Sequence, residues 1–510
     1  MNVNIFLCYY GNLLLMFDAV DKLPSGILDG NTKLMGSYDA CLAITSEIDN
    51  TGSDVILPQY NGQYCWTEIP INIFVEFDNG IPGQLLLSFS VYTNGAKLLN
   101  TTNSAKTLTC INGIRFISMS WVILGHAVAF GLGTGSNLNS FFPKMIGRWT
   151  FQAIANALVS VDTFFALSGL LVSYLALKEM KKNNGRLNWG MFYFHRFWRL
   201  TPPYMLILGV YVSLNRYWSD GPLWPENGME KDFCKDTWWK NLLYINNIVD
   251  RDNQCFGWAW YLANDMQFYI LSPLIFNGWG LISSAVFLIG NGVATYFVSE
   301  KYKLPPTTIG GVDEKTSGDY MTDYYFVPWC RIGPYVIGVV AGYCLYKANG
   351  RIKIHWALNL LGWAVATALS VTVLYGLHDA INGNPLSIEV AALYNATHRT
   401  VWGACVCWVV IACATGNGGY INTLLSWEGF SPLSRLTYCA YLVHPILMYT
   451  YFQSLRKPIY FTDMELIVLF LSFLVASMAV AFVASLTFES PMMGLEKVIF
   501  KRDKKKTEKK

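Results

Sequence analysis

From residue 111 onward the chain is a succession of apolar runs separated by short polar loops. A helix crosses a bilayer with about 20 apolar residues. Runs of that kind predict ten spans: 114–133, 153–177, 203–217, 258–277, 279–298, 329–347, 354–376, 399–415, 432–452 and 464–488. The third is short and begins inside an Arg-rich segment, and the fourth and fifth are joined by almost no loop. Before residue 110 the pattern is broken by Gly, Pro, Asn and Asp, and Leu23-Pro24-Ser25-Gly26-Ile27-Leu28-Asp29-Gly30-Asn31 reads as a turn-rich loop. Residues 5–17 are apolar but short, with no basic flank or small-residue cleavage site, so they do not read as a signal peptide. No internal repeat is present, and the only low-complexity tract is the basic tail. The fold class expected is an all-α polytopic transmembrane helical bundle of about ten spans, preceded by a small Cys-containing amino-terminal segment. The divisions are 1–70, a linker over 71–110, a core over 111–495 and a tail over 496–510.

Composition agrees with a membrane solvent. The chain is 53% hydrophobic and 14% charged, against about 25% charged in soluble domains. Eighteen Trp suit membrane interfaces. The net charge of +3 says little, and nothing in the chain calls for a nucleic-acid partner. Local charge sets orientation. The tail Lys501-Arg502-Asp503-Lys504-Lys505-Lys506 predicts a cytosolic carboxy terminus. With ten spans, Arg115, the Lys178–Arg199 loop and the turn with Lys347, Arg351 and Lys353 fall on that side. Segments 218–257, 299–328 and 378–398 fall on the other, where Asn395-Ala396-Thr397 is a glycosylation sequon.

The 12 Cys form no CxxC pair and no cluster with His, so no metal site is expected. Cys344, Cys405, Cys407, Cys413 and Cys439 lie in apolar runs and read as buried thiols. Cys41, Cys65, Cys234 and Cys255 lie in polar segments and are disulfide candidates in an oxidising compartment.

Ionisable groups inside the spans are the candidates for chemistry. His126 lies eleven residues beyond Arg115, roughly 16 Å along a helix and near the bilayer midplane. Its imidazole can take and return a proton at cellular pH. A hydrogen bond to a neighbouring helix is the bland alternative. His444, followed by Pro445, sits at similar depth in its own span, and for it the bland reading is slightly favoured. In His195-Arg196-Phe197-Trp198-Arg199-Leu200-Thr201-Pro202-Pro203, Arg196 and Arg199 share a helix face before a Pro-Pro stop. Planar guanidinium groups suit phosphates, although two such arginines alone would read as an ordinary basic flank. Asp162 lies in an apolar run, with Ser168 and Gly169 as small residues for packing. Asp265 and Gln267 enter another span behind an aromatic segment, Trp258 to Tyr261, read as an interface belt. Glu489 reads as the cap of the last span.

Taken in order, these segments resemble the acyltransferase-3 family of membrane O-acyltransferases. The resemblance rests on Gly113, Arg115 and His126, then Phe-Phe-x-Leu-Ser-Gly at 164–169, then Arg196 and Arg199. It continues through Trp-Tyr-Leu at 260–262, Tyr441-Leu-x-His444-Pro445 and Glu489-x-Pro491. Within that family the chain is similar to the animal nose-resistant-to-fluoxetine group, whose members carry a Cys-containing domain ahead of the core. Residues 18–65, including Gly36-Ser37-Tyr38-Asp39-Ala40-Cys41 and Gly62-Gln63-Tyr64-Cys65, resemble that domain. Two departures stand out. Asn112 occupies a position where bacterial-type members usually have Asp. No secretion signal or clear span precedes Arg115, which reads as a truncated amino-terminal part.

The resemblance implies transfer of an acyl group from an acyl-CoA co-substrate to a hydroxyl on a lipid, glycan or small-molecule acceptor, with no bound cofactor. It implies His126 as general base, Arg196, Arg199 and Arg115 at the donor, and His444 orienting substrate. Asp162, Asp265, Ser168, Tyr441 and Glu489 would support the cavity. The rival expectation is a non-catalytic protein that moves lipids or small apolar molecules through the same cavity. A third is a membrane protein whose polar groups only join helices.

Overall fold

A computed structural model describes residues 81–102, 108–225, 233–276, 279–309, 314–348, 352 and 354–507, with three short strands before them. The chain forms two compact units, Met1–Ser90 with Gly494–Lys510, and Val91–Met493. In the first unit β1 (Lys33–Gly36), β2 (Gln59–Tyr60) and β3 (Cys65–Glu68) form an antiparallel sheet in the order β1-β3-β2, pairing Gly36 and Tyr60 with Cys65. This sheet is confined to the amino-terminal segment ahead of the bundle. Cys41 and the Cys65 side chain lie outside the described residues. The expected 71–110 linker contains helices at Ile81–Leu87 and Val91–Leu99. The tail is helical as far as Thr507.

The second unit is an all-α bundle, with a helix in each expected span. In chain order these are α1 (Cys110–Gly131), α2 (Ser160–Lys182), α3 (Trp189–Leu214), α4 (Trp260–Leu271) and α5 (Gly280–Lys301). They continue as α6 (Ile332–Lys347), α7 (Trp356–Tyr375), α8 (Ile388–Ala414), α9 (Phe430–Gln453) and α10 (Asp463–Ala484). Six helical stretches among the described residues, those holding α1, α2, α5, α7, α8 and α10, are long and apolar enough to cross a membrane. The chain is an integral membrane protein. The other four helices are shorter or carry the polar residues of the interior.

The membrane-facing pattern is explicit on α5. Leu281, Ile282, Val286, Ile289, Val293 and Phe297 point outward, while Ser284, Asn291, Thr295 and Ser299 are buried. Lipid solvates the apolar stripe, and the polar stripe finds partners inside, as where Asn291 Nδ2 donates to the Trp329 carbonyl at 2.7 Å. At the centre, α2 and α6 meet backbone to backbone. A Cβ on Gly338 would lie 2.1 Å from the Ala166 carbonyl oxygen, and one on Gly342 2.3 Å from that of Leu170. Gly338-x-x-x-Gly342 gives one helix face with no side chains, which permits that approach.

Four sequence expectations are corrected here. Pro202 and Pro203 do not stop a helix but lie inside α3, which starts before the arginines. Their missing N–H groups interrupt the hydrogen-bond ladder without ending the helix, because packing holds both sides. Trp260 is no interface belt residue; it is buried, with Arg331 over its ring. Cys344 is exposed on α6, whereas Cys405, Cys407, Cys413 and Cys439 are buried as expected. Asn395 is not a loop residue: it is 1% exposed within α8. Its Nδ2 donates to Ser299 Oγ and the Pro305 carbonyl. A buried, bonded amide in a helix cannot accept a glycan. Cys234 and Cys255 form the expected disulfide, beside Phe256 at the start of the turn into α4.

Candidate functional site

The site is built where α1 and α9 pack together inside the bundle. Gly113 admits the backbone of the Gly419–Leu425 helix, since a Cβ there would lie 2.4 Å from the Leu425 carbonyl oxygen. Thirteen residues further along α1, His126 is half-buried. Its Nδ1 lies 2.9 Å from Nε2 of His444 on α9. His444 is fully buried, and its Nδ1 lies 3.0 Å from the Ala440 carbonyl oxygen. The two histidines that sequence analysis singled out separately are thus one hydrogen-bonded pair. Beyond His126 the lining is aromatic: Phe130 stacks on His126 at 5.1 Å, and Tyr449 on Phe130 at 4.4 Å.

Towards the start of α1 the lining becomes ionic. Arg115 is half-buried and feels the charges of Arg199, Arg196 and Asp265. Arg196 forms a salt bridge with Asp265, whose other oxygen accepts from Ser168 Oγ at 2.6 Å. Arg196 Nη2 also donates to Ser168 Oγ at 3.2 Å, and its guanidinium lies over Tyr269 at 4.9 Å. This corrects the expectation for Arg196: Asp265 neutralises it and α2, α3 and α4 hold it in place. Ser168 serves this network rather than bare packing. Arg115 and Arg199 are the two guanidinium groups here without a salt-bridge partner among the described residues. Tyr438 on α9 reaches the same end, donating to the Leu200 carbonyl at 2.6 Å.

Aromatic side chains pack beside the histidines. Tyr261 packs on Tyr441 at 5.2 Å, and Tyr441 lies 6.0 Å from the His444 ring. The Tyr441 hydroxyl donates to the Trp258 carbonyl, fixing the start of α4 against α9. Glu489 is buried in a π-helical turn and accepts from Ser485 Oγ at 2.8 Å and Cys439 Sγ at 3.3 Å, so it braces the end of the bundle beside α9.

Asp162 is not a solvated helix end. It is fully buried and accepts from Arg331 Nη1 at 2.8 and 2.9 Å. Arg331 lies over Tyr325 at 4.0 Å, and Arg399 lies over Tyr324 at 3.9 Å. Sequence analysis missed both arginines, although Arg331 is a charge inside a predicted apolar span, the same signal that singled out His126.

An interior histidine pair and an arginine-lined end in one helical membrane bundle fit the class of membrane-embedded group-transfer proteins. The comparisons then identify the family: residues 108–486 match the acyltransferase-3 Acyltransferase domain, and the chain belongs to that family. Ahead of it, residues 12–111 match the amino-terminal domain of the nose resistant-to-fluoxetine protein. The chain is 33% identical over 454 residues to nose resistant to fluoxetine protein 6 of Caenorhabditis elegans, covering 82% of this chain and 55% of that protein. It is 24% identical over 421 residues to regulator of hypoxia-inducible factor 1 of the same organism, covering 74% and 79%. It is 22% identical over 391 residues to O-acetyltransferase OatA of Staphylococcus aureus, covering 74% and 57%. The chain spans about half the length of the first of these relatives. No solved structure matches it.

Proposed function

We propose that this chain is a membrane O-acyltransferase that moves an acyl group from a coenzyme A thioester to a hydroxyl acceptor, with His126 as general base. The observation that carries the reading is the half-buried His126 imidazole, hydrogen-bonded to His444 inside the bundle and carried on the same helix as Arg115. The acceptor hydroxyl gives its proton to His126 as its oxygen attacks the thioester carbonyl carbon. The carbon–sulfur bond breaks, and the departing thiolate takes the proton back from His126. Arg115 and Arg199 hold the donor phosphates as charge-assisted hydrogen-bond donors. The orientation expected from loop charge turns Arg115 and Arg199 to the cytosol, where coenzyme A thioesters are available.

The test uses the full chain in lipid vesicles, with short- and long-chain thioesters, and untargeted lipid and glycan profiling of cells with and without the protein. His126→Ala is expected to lower turnover about 10²- to 10⁴-fold with unchanged helicity. Arg115→Gln and Arg199→Gln are each expected to raise the donor KM about tenfold or more, with turnover at saturating donor retained. If no thioester yields an acylated product, and uptake of lipids or small apolar molecules persists in His126→Ala, the carrier reading replaces this one.

A further inference from the structure

The hydrogen bonds around the histidine pair fix where the protons sit. Nδ1 of His444 faces the Ala440 carbonyl at 3.0 Å. A carbonyl oxygen only accepts, so His444 Nδ1 carries a proton. The ring is fully buried and no carboxylate is bonded to it among the described residues. A charged ring there would be uncompensated. The neutral ring leaves Nε2 as an acceptor, and that atom lies 2.9 Å from His126 Nδ1. His126 Nδ1 must then be the donor, and the lone pair of the neutral His126 ring is on Nε2.

We propose that His444 is the positioning residue that fixes His126 in the tautomer whose Nε2 is the unprotonated base. The catalytic consequence rests on the acyl-transfer reading; the tautomer itself does not. When His126 Nε2 takes the acceptor's proton, the new cation already donates from Nδ1 to a neutral imidazole backed by the Ala440 carbonyl dipole. His444 thus orients the base as the carboxylate does in a Ser-His-Asp triad, without placing a negative charge deep in the membrane.

The test is 15N NMR of the histidine-labelled full chain in lipid nanodiscs. The chain has 6 His, and the resonances missing from His126→Gln identify His126. The expected spectrum of the parent has His126 protonated at Nδ1 and not at Nε2. In His444→Leu the two tautomers of His126 are expected to mix. Turnover should fall about 10²- to 10⁴-fold, with a changed pH profile. His444→Gln, whose amide oxygen can accept from Nδ1, is expected to recover most of that loss. A parent protonated at Nε2 overturns the proposal, as does a His444→Leu variant with parental turnover and pH profile. If no donor supports acyl transfer, the functional reading fails, and the tautomer is still decided by the spectrum.

Discussion

The Asp162–Arg331 pair shows what one charged side chain requires in this bundle. Arg331 is 0% exposed, bonds both carboxylate oxygens and donates from Nε to the Tyr325 carbonyl at 2.9 Å. Its faces are covered by Tyr325 and Trp260. Removing one partner strands the other charge, which typically destabilises by about 3–5 kcal/mol. Asp162→Asn and Arg331→Met are each expected to lower the thermal unfolding temperature sharply in detergent, and the double substitution to recover part of the loss. Single variants as stable as the parent would mean that the pair holds nothing together. At this scale the sequence located ionisable residues but not their partners. Asp162, Asp265, His126 and His444 were legible because charge or imidazole inside an apolar run stands out. That Asp162 meets Arg331, that Asp265 occupies Arg196, and that the two histidines share a hydrogen bond depend on helix packing, which no local pattern encodes.

Elements were more legible. Hydropathy located all ten helices, because each must present about 20 apolar positions or pack wholly within the others. The largest displacement was at α3. Pro202 and Pro203 read as a stop, yet the helix runs from Trp189 through both. The α2–α6 contact makes a test of element packing. Gly338→Val would drive a side chain into the Ala166 carbonyl, and overpacking of this kind destabilises by about 1–3 kcal/mol or more. Gly209→Val is the control, since a Cβ at Gly209 meets nothing within 4 Å. Reduced folded yield is expected for Gly338→Val and not for Gly209→Val by size-exclusion chromatography. Equal yields would show that the two helices can separate without consequence.

Considered as a whole, the molecule has a sidedness that the sequence expressed in its charge. The expected arrangement places the tail inside and the disulfide-bonded segment of Cys234 and Cys255 outside. An epitope at the carboxy terminus should react with antibody only after permeabilisation, whereas one inserted after Gly221 should react on intact membranes. The reverse pattern would invert the assignment. The Asn395 amide is enclosed within α8. Asn395→Gln is therefore expected to leave electrophoretic mobility unchanged, and a shift equal to one glycan would refute the buried placement. The sequon was readable as a motif, but the enclosure that disables it was not.

The 169 residues between Asp162 and Arg331 also have a consequence for synthesis. At about 5–20 residues per second, the ribosome needs on the order of ten to thirty seconds to make that interval. Throughout it, the newborn second helix carries an acid whose counter-ion has not been translated. Asp162 lies in the first turn of that helix, so its insertion costs less than the about 2.5–3.5 kcal/mol of an aspartate at a helix centre. Until Arg331 arrives, the carboxylate at this helix end has only water and headgroups to meet it. Final closure of the bundle is deferred to the sixth helix.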